Sequence, residues 1–140
     1  METPRPSVVL DASAAIALLL DESGADTVGS LLGSGDARMS TVNAAEVVDV
    51  LVRVRGGEPD VVIRRVDELL SSVVQPVAPS VELAIRAGEL RARHFRRDQR
   101  LSLADCFVLA TATARETIAT TDSVLADVAR AEGVPAVLAA

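Results

Sequence analysis

The chain has no tryptophan, no tyrosine and only two phenylalanines, Phe95 and Phe107. A module that stacks successive bases on aromatic faces is therefore excluded. Lysine is absent as well, so all 14 basic side chains are arginines. That removes a P-loop lysine, a Schiff-base lysine and the essential lysine of response-regulator and haloacid-dehalogenase sites. One cysteine, Cys106, cannot form an internal disulfide, and it reads as core packing beside Phe107. With a single histidine, His94, a nitrogen and sulfur zinc site within one chain is excluded too. No apolar run is long enough to span a membrane. Arg5 followed by Val8–Leu10 and Ala12–Leu20 resembles a signal peptide, but Asp11 interrupts it and no small-residue cleavage pattern follows. A cytoplasmic protein is expected.

What is present is a chain of 140 residues, the usual size of one domain spanning 1–140. It is 49% hydrophobic, almost entirely through Val, Leu, Ala and Ile. Such a core suits a Val-rich sheet covered by Ala/Leu helices. The high apolar content also suggests a face covered by a partner. The net charge of −6 looks wrong for a nucleic-acid binder, yet two divalent ions on an acidic site would bring it to about −2.

Along the chain, strands are expected at Ser7–Leu10, Ala37–Ser40, Val73–Pro76, Thr117–Thr120 and Pro135–Leu138. The prolines ahead of the first strand, Pro4 and Pro6, fit its start, and Pro76 fits an edge. Helices are expected from Asp11 to Leu20, Ala25 to Leu32, Asn43 to Arg55, Glu58 to Ser71, Pro79 to Arg96, Ser102 to Arg115 and Ser123 to Glu132. Gly33–Gly35 marks a turn, and Gly56–Gly57 and Gly133 end helices. Alternating strands and helices indicate a three-layer α/β/α domain around a mainly parallel sheet of four to five strands.

Four carboxylates fall at strand ends or early in the helices that follow: Asp11, Glu46, Asp105 and Asp122. In a parallel sheet these places share the edge at the carboxyl ends of the strands. Each acid alone has a plainer explanation. Asp11 and Asp122 can cap helices, and Glu46 and Asp105 lie three residues after Asn43 and Ser102, as in capping boxes. Together, four converging acids would repel, and a divalent cation with oxygen ligands is the simplest partner. Ser13 and Thr120 stand two residues from Asp11 and Asp122 and could orient a carboxylate, a water or a phosphate, or bond locally to backbone. A basic segment containing Arg86, Arg91, Arg93, Arg96, Arg97 and Arg100 leads into Asp105. It offers candidate contacts to RNA phosphates or is a solvated helix face.

Val8-Val9-Leu10-Asp11-Ala12-Ser13-Ala14, Ser40-Thr41-Val42-Asn43-Ala44-Ala45-Glu46, Leu101-Ser102-Leu103-Ala104-Asp105-Cys106 and Thr120-Thr121-Asp122 resemble, in order, the signature blocks of PIN domains. They are most similar to those of VapC toxins from bacterial toxin–antitoxin (VapBC) pairs. The resemblance implies an endoribonuclease dependent on one or two Mg²⁺ or Mn²⁺ ions. It makes Asp11, Glu46, Asp105 and Asp122 the metal-holding and catalytic tetrad, with Ser13 and Thr120 as accompanying hydroxyls. It further implies a homodimer, a VapB-like antitoxin, tRNA or ribosomal RNA as substrate, and products with a 5′-phosphate and a 3′-hydroxyl. After the last acid, relatives often carry a basic residue and an aromatic; here Ser123-Val124-Leu125 follows. The rival readings are a regulatory or binding domain whose acids only cap helices, a PIN-like nuclease outside a toxin–antitoxin pair, and a different metal phosphohydrolase or DNA-directed nuclease.

Overall fold

Five strands, β1 (Ser7–Leu10), β2 (Asp36–Ser40), β3 (Val74–Val77), β4 (Thr117–Thr120) and β5 (Ala136–Leu138), form one sheet in the order β3-β2-β1-β4-β5. Every pairing is parallel. The computed structural model describes residues 7–113 and 115–140, so Pro4, Arg5 and Pro6 lie outside the described residues. Among the described residues, no helix is long and apolar enough to cross a membrane.

The layers follow from the two-residue period of the strands. Val8 and Leu10 point to one face, where they meet buried residues of α1 (Ala12–Leu20), α2 (Ala25–Ser34), α3 (Thr41–Asp49) and α4 (Pro59–Ser72). Val9 points to the other face, against α5 (Val81–His94), α6 (Leu103–Thr111) and α7 (Ser123–Ala131). A strand buried on both faces reads as a continuous apolar run, as Val8-Val9-Leu10 does. From β1 the chain first builds outward to β2 and β3, then returns to lay β4 and β5 on the other side. The order reverses between β1 and β4, and crevices for ligands open at the carboxyl ends of strands at such a point.

Several helix boundaries differ from those expected, α2 running on through Gly33 to Ser34 and α5 spanning only Val81–His94, and two of the differences bear on the site. The third helix starts at Thr41, capped by the Ser40 hydroxyl, which accepts from the Val42 amide; Asn43 is therefore inside the helix and no cap. The helix widens to a π-helical stretch at Val50–Val54 before Gly56, at φ +75°, turns the chain. At Gly57 a Cβ would stand 2.8 Å from Val62 and 2.9 Å from the Leu51 carbonyl, so only glycine lets α4 return this closely. The sixth helix stops at Thr111 rather than Arg115, because the Thr113 amide is drawn away to Glu116. Ala114 lies outside the described residues.

Glu116 is buried at the amino edge of the sheet, where Arg38 of β2 forks onto it through Nε and Nη2. The Ser7 hydroxyl also donates to it, at 2.7 Å. Burial alone would raise this carboxyl, but the bonds from Arg38, Ser7 and the Thr113 amide outweigh burial and hold it down to about 2. A depressed carboxylate contributes stability above its unfolded pKa, and that contribution is lost as pH falls through the folded value. Glu116→Ala should cost about 3 kcal/mol in urea denaturation at neutral pH, because it strands Arg38. It should also remove a stability loss that the parent chain shows on acidification from about pH 4.5 towards pH 2.

Candidate active site

Asp11 leaves the end of β1 and caps α1, its Oδ1 accepting from the Ala14 amide at 2.8 Å. Asp122 leaves the end of β4 and caps α7, accepting from the Val124 amide at 2.9 Å. Since β1 and β4 are neighbours, the two acids flank the reversal point. Two hydroxyls lace them together. Thr120 donates from Oγ1 to Asp11 and accepts from the Asp122 amide; Ser13 donates to Asp11 at 2.8 Å and accepts from the Thr121 amide at 2.9 Å. The roles of Ser13 and Thr120 are thus both local and directed at a carboxylate.

Asp105 enters from the first turn of α6, in a reciprocal capping box with Ser102 whose two bonds are each 3.0 Å. Glu46 comes from the second turn of α3. With the helix starting at Thr41, Glu46 is too far along to cap it, and the capping-box explanation fails for this acid. The three capping acids sit at helix N-termini, whose partial positive charge offsets some of their mutual repulsion.

The four are electrostatic neighbours. Burial raises the Asp105 carboxyl, its Ser102 bonds oppose this, and the charge of Asp122 adds to the rise. Burial also raises Glu46, the charge of Asp105 adds to the rise, a hydrogen bond from Asn43 opposes it, and the charges of Asp11 and Asp49 push it further. For Asp11, burial outweighs the bonds from Thr120, the Ala14 amide and Ser13, and with the Asp105 charge the carboxyl is pushed up to about 6. Among the described residues none of these acids is ion-paired with an arginine or histidine. No three side chains among the described residues are arranged to close on an ion as they stand, because Asp11, Asp105 and Asp122 are turned onto their caps. The donor set nonetheless suits a hard cation: carboxylate oxygens, partly dried, with no countercharge among the described residues.

Asn43 is a residue the sequence reading assigned only to capping. It is fully buried; its Nδ2 donates to the Ala104 carbonyl at 3.1 Å, tying α3 to the residue before Asp105. Its Oδ1 has no partner. Nothing in one sequence separates such an asparagine from a helix cap, since both precede an apolar run.

The arginine segment divides. Arg93 pairs with Glu89 at 2.9 Å and with Glu132 at 3.1 Å, and Arg86 reaches Glu132 at 3.9 Å, so these two are engaged away from the acids. Arg91, Arg97 and Arg100 line an open cleft together with Phe95, Leu101, Ser102 and Asp105. Arg96 lies exposed in the turn, whose backbone it pairs with Gln99. Cys106, buried under this site, has its thiol pushed up to about 11 by burial and then by the Asp105 charge, which suits packing and not nucleophilic attack.

A raised carboxyl favours the fold when protonated. For Asp11 that contribution is complete below the unfolded value of 3.8 and is lost as pH rises through about 6. Metal-free protein should therefore lose on the order of 2 kcal/mol between about pH 4 and pH 6 from this group. Asp11→Asn, which keeps a capping oxygen, should flatten that slope in urea denaturation with EDTA and raise stability at neutral pH. An unchanged slope would contradict the dried, uncompensated carboxyl.

Comparison with known proteins concerns the fold. Among solved structures, the fold is similar to the VapC20 toxin of Mycobacterium tuberculosis, described as cleaving the sarcin–ricin loop. The TM-score is 0.69 at 20% identity, over 86% of this chain and 93% of that one. It is similar to VapBC-1 of nontypeable Haemophilus influenzae, with a TM-score of 0.66 at 18% identity over 94% and 96% of the two chains. DNA-bound VapBC of Salmonella typhimurium gives 0.69 at 16% identity over 94% and 97%. No curated protein matches significantly by sequence. The PIN domain family model matches residues 8–131, from the first strand through the last helix and across all four acids, and the chain belongs to the PIN domain family.

Proposed function

We propose that this PIN domain is a metal-dependent endoribonuclease and the toxin half of a type II toxin–antitoxin pair. The observation that carries the nuclease reading is Glu46. A binding domain with capping acids accounts for Asp11, Asp105 and Asp122, but Glu46 caps nothing and still sits half-buried within reach of the charges of Asp105 and Asp11. Asn43 supplies a single opposing hydrogen bond, and a cationic ligand would offset the remaining repulsion on the ionised carboxylate.

In this reading Asp11, Glu46, Asp105 and Asp122 hold one or two Mg²⁺ or Mn²⁺ ions. The ion supplies a water of lowered pKa and charge neutralisation at the phosphate. Ser13 and Thr120 fix the direction of the Asp11 oxygens. Arg91, Arg97 and Arg100 steer the RNA backbone along the cleft towards Asp105. Water attack in line with the 3′-oxygen would leave a 5′-phosphate and a 3′-hydroxyl. Support for RNA as the substrate, tRNA or ribosomal RNA, comes from the fold shared with a toxin that cleaves the sarcin–ricin loop.

The VapBC assemblies among the similar structures support a VapB-like antitoxin as partner. The expected surface is narrower than the whole first helix. Ala12 and Ala14–Ala17 are buried in the chain's own core, and only its end, Leu19–Leu20, opens onto an apolar cleft with Leu51, Val61 and Val62, rimmed by Arg55 and Arg65. An amphipathic antitoxin segment fits there. A homodimer would use the exposed stripe on α5, where Val81 is 77% and Ile85 69% accessible.

The test is cleavage of total RNA by purified protein with Mn²⁺ or Mg²⁺. Discrete 5′-phosphate fragments are expected, abolished by EDTA and reduced at least about 100-fold by Asp105→Asn or Glu46→Gln. Circular dichroism should show both variants folded. Full activity in either variant, or in EDTA, would reject the site.

A further inference from the structure

We infer that Phe95 and Arg91 form a stacking seat for one unpaired RNA base beside the acidic site. The inference rests on the nuclease reading and names how that site grips its substrate. With no tryptophan or tyrosine, the chain cannot build a platform for several bases, but a single seat needs only one ring. Of its two phenylalanines, Phe107 is partly buried and packs against the core under α6, whereas Phe95 is 43% exposed.

One exposed ring is ordinary on a protein surface. Its surroundings are what give this one a role. Phe95 ends α5 in extended backbone, at φ −67° and ψ 130°, which takes it out of the helical path. The Arg91 guanidinium lies over the ring, 4.7 Å from its centre. It is held there because Nε donates to the Leu101 carbonyl at 3.1 Å. The cation therefore covers part of the ring without being free to swing away, while the ring keeps substantial open surface. A base laid on that open surface would continue a stack of base, ring and guanidinium, and each layer favours the next.

The seat also lies in the right place. Phe95 and Arg91 share a cleft with Arg97, Arg100, Ser102 and Asp105. The arginines can take the phosphates on either side of a seated base, and Asp105 of the acidic site lines the same cleft. Aromatic and arginine planes set beside a phosphate track are how splayed, single-stranded RNA is held. The seat would thus favour cleavage in a loop, where a base can leave its stack, over cleavage within a duplex.

The absence of other indoles makes the test direct, because Phe95→Trp introduces the only tryptophan in the chain. It is made in an Asp11→Asn background so that RNA is not cut. The probes are a short oligoadenylate and an abasic ribose-phosphate oligomer of equal length. Oligoadenylate should quench the tryptophan and the abasic oligomer should not. Phe95→Leu, which keeps apolar bulk but no π-face, should weaken oligoadenylate binding roughly tenfold and leave abasic binding unchanged. Equal quenching by both probes, or wild-type oligoadenylate affinity in Phe95→Leu, overturns the seat. A lowered oligomeric state in Phe95→Leu with unchanged affinity also overturns it, and assigns the ring to a contact between copies. Loss of binding to both probes in an Arg97→Ala, Arg100→Ala double variant, with Phe95 affecting neither, leaves the nuclease reading standing without the seat. If neither probe binds the Asp11→Asn parent with Mg²⁺ present, the seat falls, while the nuclease reading is decided separately by cleavage of total RNA.

Discussion

Mutual repulsion among partly dried carboxylates is the constraint on which the rest of this structure depends. Asp11, Glu46 and Asp105 all have their ionised forms disfavoured by burial and by a neighbouring acid's charge, Asp105 acting on Asp11 and Glu46, and Asp122 on Asp105. The fold tolerates this because three of the four acids stand at helix N-termini and accept backbone N–H bonds there. Capping and metal holding are thus not competing explanations for Asp11, Asp105 and Asp122. The caps keep the carboxylates in position in the absence of an ion, and an ion would supply the charge the caps cannot.

The two edges of the sheet show the contrast in one molecule. At the amino edge Glu116 is buried and matched by Arg38, two hydrogen-bonding neighbours and a depressed pKa. At the carboxyl edge Asp11 is as deeply buried, with a raised pKa and no cation paired with it among the described residues. The first arrangement holds β1, β2 and the approach to β4 together. The second stores unfavourable charge where the strand order reverses, the place in a parallel sheet where a ligand can reach it. Stability and function are segregated by which carboxylate is given a partner.

Much of this was legible in the sequence, for identifiable reasons. Val8-Val9-Leu10 reads as a strand covered on both faces, and an acid directly after such a strand stands at the sheet's edge. The parallel order of the five strands follows from their alternation with helices. Three features were not legible. The start of α3 depends on Ser40, since Asn43 satisfies the same local rule as a cap while its amide is spent on the Ala104 carbonyl. The end of α6 is fixed by Glu116, itself positioned by Arg38 from β2, and Ala-Thr-Ala-Arg carries no local stop. The arginine segment reads as one basic run, yet Glu132, far along the chain, takes Arg93 and Arg86 and leaves Arg91, Arg97 and Arg100 to the cleft. In each case the deciding partner is distant in sequence.

The central claim is that these acids form a cation site, and the most direct measurement is Mn²⁺ titration of the purified chain by electron paramagnetic resonance without RNA. Saturable binding, competed by Mg²⁺, is expected, and it should be lost or strongly weakened in Glu46→Gln, the one acid of the four whose removal disturbs no helix cap. Absence of saturable binding by the folded chain, or binding unaffected by Glu46→Gln, would contradict it.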